Sequence, residues 1–306
     1  MLERIAPVSS SAAKIAHMPP YILALETSGS ICSVALECRT DSGVQRWYTE
    51  HDGVAEHSLR LLPMVDYLLT EAGISGRQLS AVAFGQGPGG FTGLRVACGV
   101  AQGLGFALGI PLIPVVSNAA VASSLPDVAP RLRIVALDAR MEEVYAGAYW
   151  MGENGQLHSM ERPLLLNRSD VAYWIHGQLP HWHQAVSAAA VTADDTSPRW
   201  ILAGDWLEPQ EIRSDSTEQP MLRGWPSFLD LPGNLDSLAT GSWWTHRLRP
   251  DALSVARLAW QAWDRGETVD PADALPLYVR DKVAYTTAER AAGAAGGNPK
   301  AQGWQP

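Results

Sequence analysis

The stretch from Leu79 to Gly105 constrains this chain more than any other. An apolar run, Leu79 to Phe84, feeds Gly85-Gln-Gly-Pro-Gly-Gly90, and a small-residue segment follows, Phe-Thr-Gly-Leu-Arg-Val-Ala-Cys-Gly-Val-Ala-Gln-Gly-Leu-Gly105. These residues read as strand, tight turn and helix N-terminus. Gly85, Gly87, Gly89 and Gly90 supply positive φ and close backbone approach around Pro88, and Thr92 is the expected N-cap of a helix from about Gly93 to Leu108. Gly99, Gly103 and Gly105 each cost that helix about 1 kcal/mol against alanine. Ala97 and Ala101, like Gly99 and Gly103, stand four apart and line up along its faces. Another backbone, from this chain or from a partner, is expected to pack closely there.

Before this segment, Tyr21-Ile-Leu-Ala-Leu-Glu-Thr-Ser28 reads as a buried strand ending in an acid and two hydroxyl residues. Ile31 to Glu37 and Gln45 to Glu50 continue it as an antiparallel meander. From Ala55 to Ala72 the period becomes helical through Leu61, Val65, Leu68 and Ala72, with Leu62 and Leu69 widening the stripe. Gly73 closes that helix, and Pro63 marks a kink or its first turn. Further on, Ile134 to Arg140 followed by Val144 to Trp150 repeats the opening pattern of strand, acid, turn, strand, with Glu26 and Asp138 in equivalent places. Such self-similarity is the mark of duplication and suggests two related α/β lobes facing a cleft, although two ordinary hairpins share the pattern.

The domain plan is therefore residues 1–20 as a disordered extension, 21–115 as a first lobe and 116–250 as a second. Within the second lobe a Pro-, Trp- and Asp-rich insertion spans about 178–250, where only Arg199 to Ala203 is strand-like. A closing helix and segment take up 251–285, with Leu253, Ala256, Leu258, Trp260 and Trp263 supplying apolar surface, and residues 286–306 form a disordered tail.

With 306 residues, 46% of them hydrophobic and 18% charged, the chain is long enough to bury about three quarters of its unfolded surface. No apolar stretch reads as a membrane span. A formal charge of -9 disfavours a broad basic nucleic-acid face. Three cysteines without C-x-x-C spacing suggest neither a disulfide framework nor a zinc site and fit a reducing cytoplasm.

Chemistry-bearing motifs are sparse. Gly85-x-Gly87-x-x-Gly90 has the spacing of a dinucleotide fingerprint but lacks the acid about 20 residues on, and Leu94-Arg95 stands where a Walker loop needs Lys-Ser/Thr. A phosphate on the helix N-terminus and a turn required by packing alone both remain open. Ser28, Ser117 and Thr27 have no identifiable base, and His181 and His183 fall in a loop-like stretch, so no catalytic residue is assigned.

Taken together, Ile22-Leu-Ala-Leu-Glu-Thr-Ser28, His57-Ser-Leu-Arg-Leu-Leu-Pro63, Gly87-Pro-Gly-Gly-Phe-Thr-Gly-Leu-Arg95, Ala101-Gln-Gly-Leu104, Asp138-Ala-Arg-Met-Glu-Glu-Val-Tyr145 and Leu277-Tyr-Val-Arg280 resemble the TsaB family. Its members are dimerization subunits of the bacterial complex that makes threonylcarbamoyladenosine in tRNA. The resemblance implies an α/β fold of two duplicated actin-like lobes (acetate and sugar kinase type, ribonuclease H-like) with mixed sheets flanked by helices. It implies a non-catalytic cytoplasmic subunit that pairs with the catalytic TsaD and works with a TsaE-type ATPase, meeting tRNA only indirectly and no membrane. Alone, the same face would allow a homodimer.

In TsaD a metal-binding His-x-x-x-His follows the strand after the glycine helix. Asn118 and Ala122 match those positions here, a weak ligand and none, so no metal is implied. The resemblance places the partner interface on the helices around His57 to Leu69 and Arg95 to Ala107, through His57, Leu61, Met64, Leu68, Arg95, Gly99, Gln102, Gly103 and Phe106. No cofactor is required; ATP or ADP would bind weakly, or only with a partner, at Glu26, Thr27, Ser28, Gly87, Gly89, Gly90 and Asp138. The alternative is a nucleotide-binding kinase-like enzyme or ATPase using Glu26 and Asp138, and the peptidase label sometimes attached to this superfamily finds no nucleophile and base.

Overall fold

The computed structural model describes residues 19–53, 56–127, 131–189, 200–206, 222–223, 243–246 and 248–280. The expected extension up to residue 18, the tail from 286 and most of the expected insertion from 207 onward lie outside the described residues.

The first lobe holds the antiparallel meander β1 (Tyr21–Glu26), β2 (Ile31–Thr40) and β3 (Gly43–Asp52), then β4 (Leu79–Gly87) parallel to β1 and β5 (Leu112–Val116) parallel to β4. The spatial order is β3-β2-β1-β4-β5. In the second lobe, β6 (Leu132–Arg140), β7 (Glu143–Met151) and β8 (Leu157–Asn167) form another antiparallel meander. There β9 (Trp200–Ala203) lies parallel to β6, β11 (Trp243–His246) parallel to β9, and β10 (Leu222–Arg223) adds an edge, giving the order β10-β11-β9-β6-β7-β8. Strand for strand, with β10 added, the second sheet repeats the first. The short sequence repeat is thus a duplication of a whole topology, and the two-lobed actin-like plan is the fold.

Helices fill the faces. On one side of the first sheet lie α1 (His57–Glu71) and α2 (Phe91–Leu108), whose Leu61, Val65 and Leu68 meet Ala97, Cys98 and Ala101 over Leu23, Leu25 and Phe84. Between the lobes runs α3 (Ser117–Ser124), with Ala120 packed in the first lobe and Val121 and Ala122 against the second. The second sheet is covered by α4 (Val171–Ala189), and α5 (Ala252–Asp264) returns to the first sheet's other face with Val255, Ala259 and Trp260 against Ile22 and Ala24. The Asp251 carboxylate caps α5 by accepting the Ser254 N–H at 2.8 Å. The closing helix set apart at 251 is therefore part of the first lobe.

Several sequence expectations need correction. The first dozen residues of the supposed insertion, 178–189, belong to α4, and so do His181 and His183. Helical phase persists through Pro180 because Trp174 and Trp182 pack edge-on, 5.2 Å between ring centroids, and bury against the sheet. Helix α2 begins at Phe91 with Gly90 as N-cap and no side-chain cap, so Thr92 sits inside the first turn. Leu62 does not widen the buried stripe of α1 but is 51% exposed. At 18 residues and mean hydropathy 1.3, α2 is long and apolar enough to cross a bilayer by length and composition, contrary to the sequence reading. In this fold it is the crossover between parallel β4 and β5.

Candidate functional site: the glycine turn, the interlobe cleft and the α1–α2 face

The glycine turn is filled by the chain itself. A Cβ at Gly93 would stand 1.9 Å from Thr27 O, one at Gly89 2.5 Å from Ser28 O, and one at Gly85 2.0 Å from the Glu26 carboxylate. The Gly90 N–H donates to Ser28 O at 2.7 Å, and Thr27 Oγ1 donates to Gly93 O at 2.7 Å. Close approach of the β1 end is thus sufficient reason for these glycines, and a backbone donor that a phosphate would use is already taken. Gly87, at φ 104°, needs the left-handed region as well.

Glu26, expected in the cleft, is fully buried beneath it. Its carboxylate accepts from the Ser28 N–H at 2.5 Å and from Ser117 Oγ at 3.1 Å, and burial raises its pKa despite those bonds. The folded chain therefore holds this proton to higher pH than the unfolded chain does. Stability is lost as pH rises above the unfolded carboxyl range toward the raised folded value, and the cost stays in full above it. Glu26→Gln keeps an acceptor and removes the charge, so its urea midpoint should exceed that of the unsubstituted chain at pH 8 by more than at pH 5. A gap that shrinks with rising pH would contradict the buried charge.

Between the lobes opens a cleft of about 480 Å³, walled by Thr27, Ser28 and Gly89 to Leu94 from the first lobe and Asp138 to Met141 from the second. Asp138 is held by Arg168 at 3.0 Å with its side chain 40% exposed. The two acids equivalent in sequence thus have opposite environments: Glu26 tucks under the glycine turn, where a Cβ at Gly85 would stand 2.0 Å from its carboxylate, while Asp138 opens to the cleft. Of the expected nucleotide residues, Thr27, Ser28, Gly89, Gly90 and Asp138 line the cleft and Glu26 and Gly87 do not.

His57 lines it too, 3% exposed, with burial lowering its pKa. Ser28 Oγ is buried with no hydrogen-bond partner among the described residues, so His57 does not hold it as a base holds a nucleophile. Asn118 Nδ2 donates to Val135 O and Tyr145 O, at 3.3 and 2.9 Å, and Ala122 is buried against the second sheet. Among the described residues no three His, Cys, Asp or Glu side chains group as metal ligands.

The α1–α2 face also departs from expectation. His57, Leu61, Met64 and Leu68, assigned to the interface, are buried in the cleft wall and the core at 9% exposure or less. The stripe that repeats at helical spacing is the stripe the sheet needs. The outward large apolar residues of α1 are Leu59, Leu62 and Tyr67, at 73, 51 and 54% exposure. Only the off-phase apolar side chains could have signalled them. On α2, Arg95, Gly99, Gly103 and Phe106 are exposed and Gln102 is half-buried. A Cβ at Gly99 or Gly103 would meet nothing within 4 Å, so no other backbone among the described residues approaches them, whereas one at Gly105 would stand 2.7 Å from Pro271.

The family model of TsaD, tRNA N6-adenosine threonylcarbamoyltransferase, matches residues 45–158. The tRNA threonylcarbamoyladenosine biosynthesis protein TsaB of Escherichia coli is 31% identical over 265 residues, 86% of this chain and 96% of that protein. The chain belongs to the TsaB family. The TsaB of Haemophilus influenzae is 42% identical over 127 residues, and that match spans about half, 51%, of the relative. A crystal structure of a Pseudomonas aeruginosa protein described as similar to peptidase YEAZ superposes with TM-score 0.61 at 31% identity, covering 85% of this TsaB-family chain and 100% of that one. A protein named tRNA N6-adenosine threonylcarbamoyltransferase, from Nitrosospira multiformis, is 35% identical over 132 residues, 38% of each chain.

Proposed function

We propose that this chain is a non-catalytic subunit that dimerises with and activates the metal-dependent TsaD, the transferase that moves a threonylcarbamoyl group onto the adenosine beside the tRNA anticodon. The observation that carries this reading is the exposed apolar and small-residue face of α1 and α2. Leu59 on α1 and Phe106 on α2 stand 73 and 62% exposed, and Gly99 and Gly103 on α2 are uncovered. Isolated exposed apolar residues are ordinary, but several of them on two helices covering the same side of the sheet, with bare glycines exposed on one helix, suit the close approach of a partner's helices. A stable interface of this kind buries on the order of 1,000 Å² or more. The reading includes a TsaE-type ATPase in the same assembly, indirect contact with tRNA, and self-association of the isolated chain through this face. Buried, free Cys32, Cys38 and Cys98 support a cytoplasmic setting. Mixing with the cognate catalytic subunit and sizing the product should give a one-to-one complex; two unshifted peaks would reject the reading.

No cofactor is required in this view, and ATP or ADP binds weakly or only with a partner. A kinase-like enzyme is favoured instead if calorimetry of the isolated chain finds tight, magnesium-dependent ATP binding that Asp138→Ala removes. The expected result is no saturation at micromolar nucleotide, a dissociation constant weaker than about 0.1 mM, or roughly -5.5 kcal/mol.

A further inference from the structure

The chain passes between the lobes through α3 and again before α5, and the stretch that follows α5 makes a third passage. On the first lobe it is bound at several points. Val269 and Leu112 exchange hydrogen bonds of 2.9 and 2.8 Å, and the Leu277 N–H donates to Gln86 O at 2.7 Å. From α2, Gln102 Nε2 donates to Pro271 O and Ala274 O at 3.2 and 3.0 Å, and Arg95 Nε donates to Tyr278 Oη at 3.0 Å. Arg95 also lies over the Phe91 ring, 3.6 Å from its centroid. Shortly afterwards the chain reaches the second lobe, where Arg280 Nη2 donates to Ala139 O at 2.9 Å and pairs with the Glu143 carboxylate, the side chains 10 and 4% exposed.

We propose that residues 271–280 form a strap that sets the angle between the lobes, with Arg280 as its latch on the second lobe and Arg95 and Gln102 as its seat on α2. A buried ion pair adds little net stability, because desolvation offsets much of the attraction, but separating its members leaves two uncompensated charges. The pair therefore acts on which lobe arrangement is populated, since opening the cleft would have to break it or lift the strap from its seat on α2. The turn it grips is itself held against its preference. Arg140, Met141 and Glu142 have φ of 61, 55 and 57°, a region that non-glycine residues occupy when their surroundings over-determine them. Arg280 Nη1 touches Met141 Sδ at 3.4 Å and Arg168 donates its N–H to Glu142 O at 2.8 Å, so the strap is one of the restraints. One consequence rests on the partner reading above. Because the seat of the strap lies on α2, a subunit docked there bears on the strap and through it on the second lobe.

The test measures the distance between spin labels at Asp41→Cys in the first lobe and Arg162→Cys in the second, both exposed positions, with the native cysteines buried. The full chain should give one narrow distance distribution. Arg280→Gln should broaden it toward longer distances, Arg280→Lys should recover part of the narrow component, and Tyr278→Ala, which removes the Arg95 contact but leaves the Gln102 bonds to the strap, should broaden it less. Arg39→Gln removes an ion pair lying wholly within the first lobe and should change nothing. An unaltered distribution in Arg280→Gln, or equal broadening in Arg39→Gln, overturns the strap. If Arg280→Gln yields no folded chain, the exposed Tyr278→Ala variant decides by the same criterion. Distances that change as expected in a chain forming no complex with the catalytic subunit would remove the partner reading and leave the strap standing.

Discussion

Alanine at Gly93 will lower the stability of the fold, and alanine at Gly99, further along the same helix, will raise it. At Gly93 the added Cβ stands 1.9 Å from Thr27 O and 3.0 Å from the carbon of that carbonyl, backbone atoms at the end of a central strand that have no rotamer to retreat into. Overpacking costs about 1–3 kcal/mol where side chains can shift. Here β1 and α2 must part, breaking the Thr27 Oγ1 to Gly93 O bond of 2.7 Å, so about 3 kcal/mol or more is expected. At Gly99 there is nothing within 4 Å, and alanine gains about 1 kcal/mol of helix propensity. Urea unfolding measures both. Shifts of the same sign would mean that α2 does not meet β1 as described.

The second large effect is on association. Leucine at Gly99 or Gly103 should weaken binding to the cognate TsaD by about 100-fold or more, near 3 kcal/mol, while the isolated chain unfolds at an unchanged or higher urea concentration. Both positions open to solvent in this chain, so a bulky side chain disturbs only what comes from outside. Leu61→Ala supplies the contrast. Leu61 is fully buried, and its truncation should cost the isolated chain about 2–5 kcal/mol. Calorimetric titration alongside unfolding separates the two classes. Full-strength binding by Gly99→Leu and Gly103→Leu would move the interface off α2.

These contrasts show what was legible. The strand, turn and helix around Gly85 to Leu108 could be read because glycine and proline sterics and apolar periodicity act between near neighbours. The same holds for the repeated strand, acid, turn, strand unit and for the helix that begins at about Asp251. The phase of α1 was legible but its meaning was inverted. Leu61, Met64 and Leu68 recur at helical spacing because they face the sheet, and the solvent-facing residues are those that break the pattern, Leu59, Leu62 and Tyr67. The helical run through Pro180 is not legible because Pro-, Trp- and Asp-rich composition suggests irregular chain until Trp174 and Trp182 are seen to share a core.

From the sequence alone came the duplicated α/β plan, the small-residue character of α2, the membership motifs and the position of the glycine turn. Tertiary structure decided that the turn is packed by Thr27 and Ser28, that Glu26 is buried while its counterpart Asp138 meets solvent, and that Gly99 and Gly103 face outward. It also decided that Arg280 reaches back across the cleft to Glu143. The physical reason is the range of the forces. Backbone sterics and helical period are set within a few residues, whereas burial, and with it the state of a carboxylate or the meaning of a glycine, depends on which distant segment comes to lie against it.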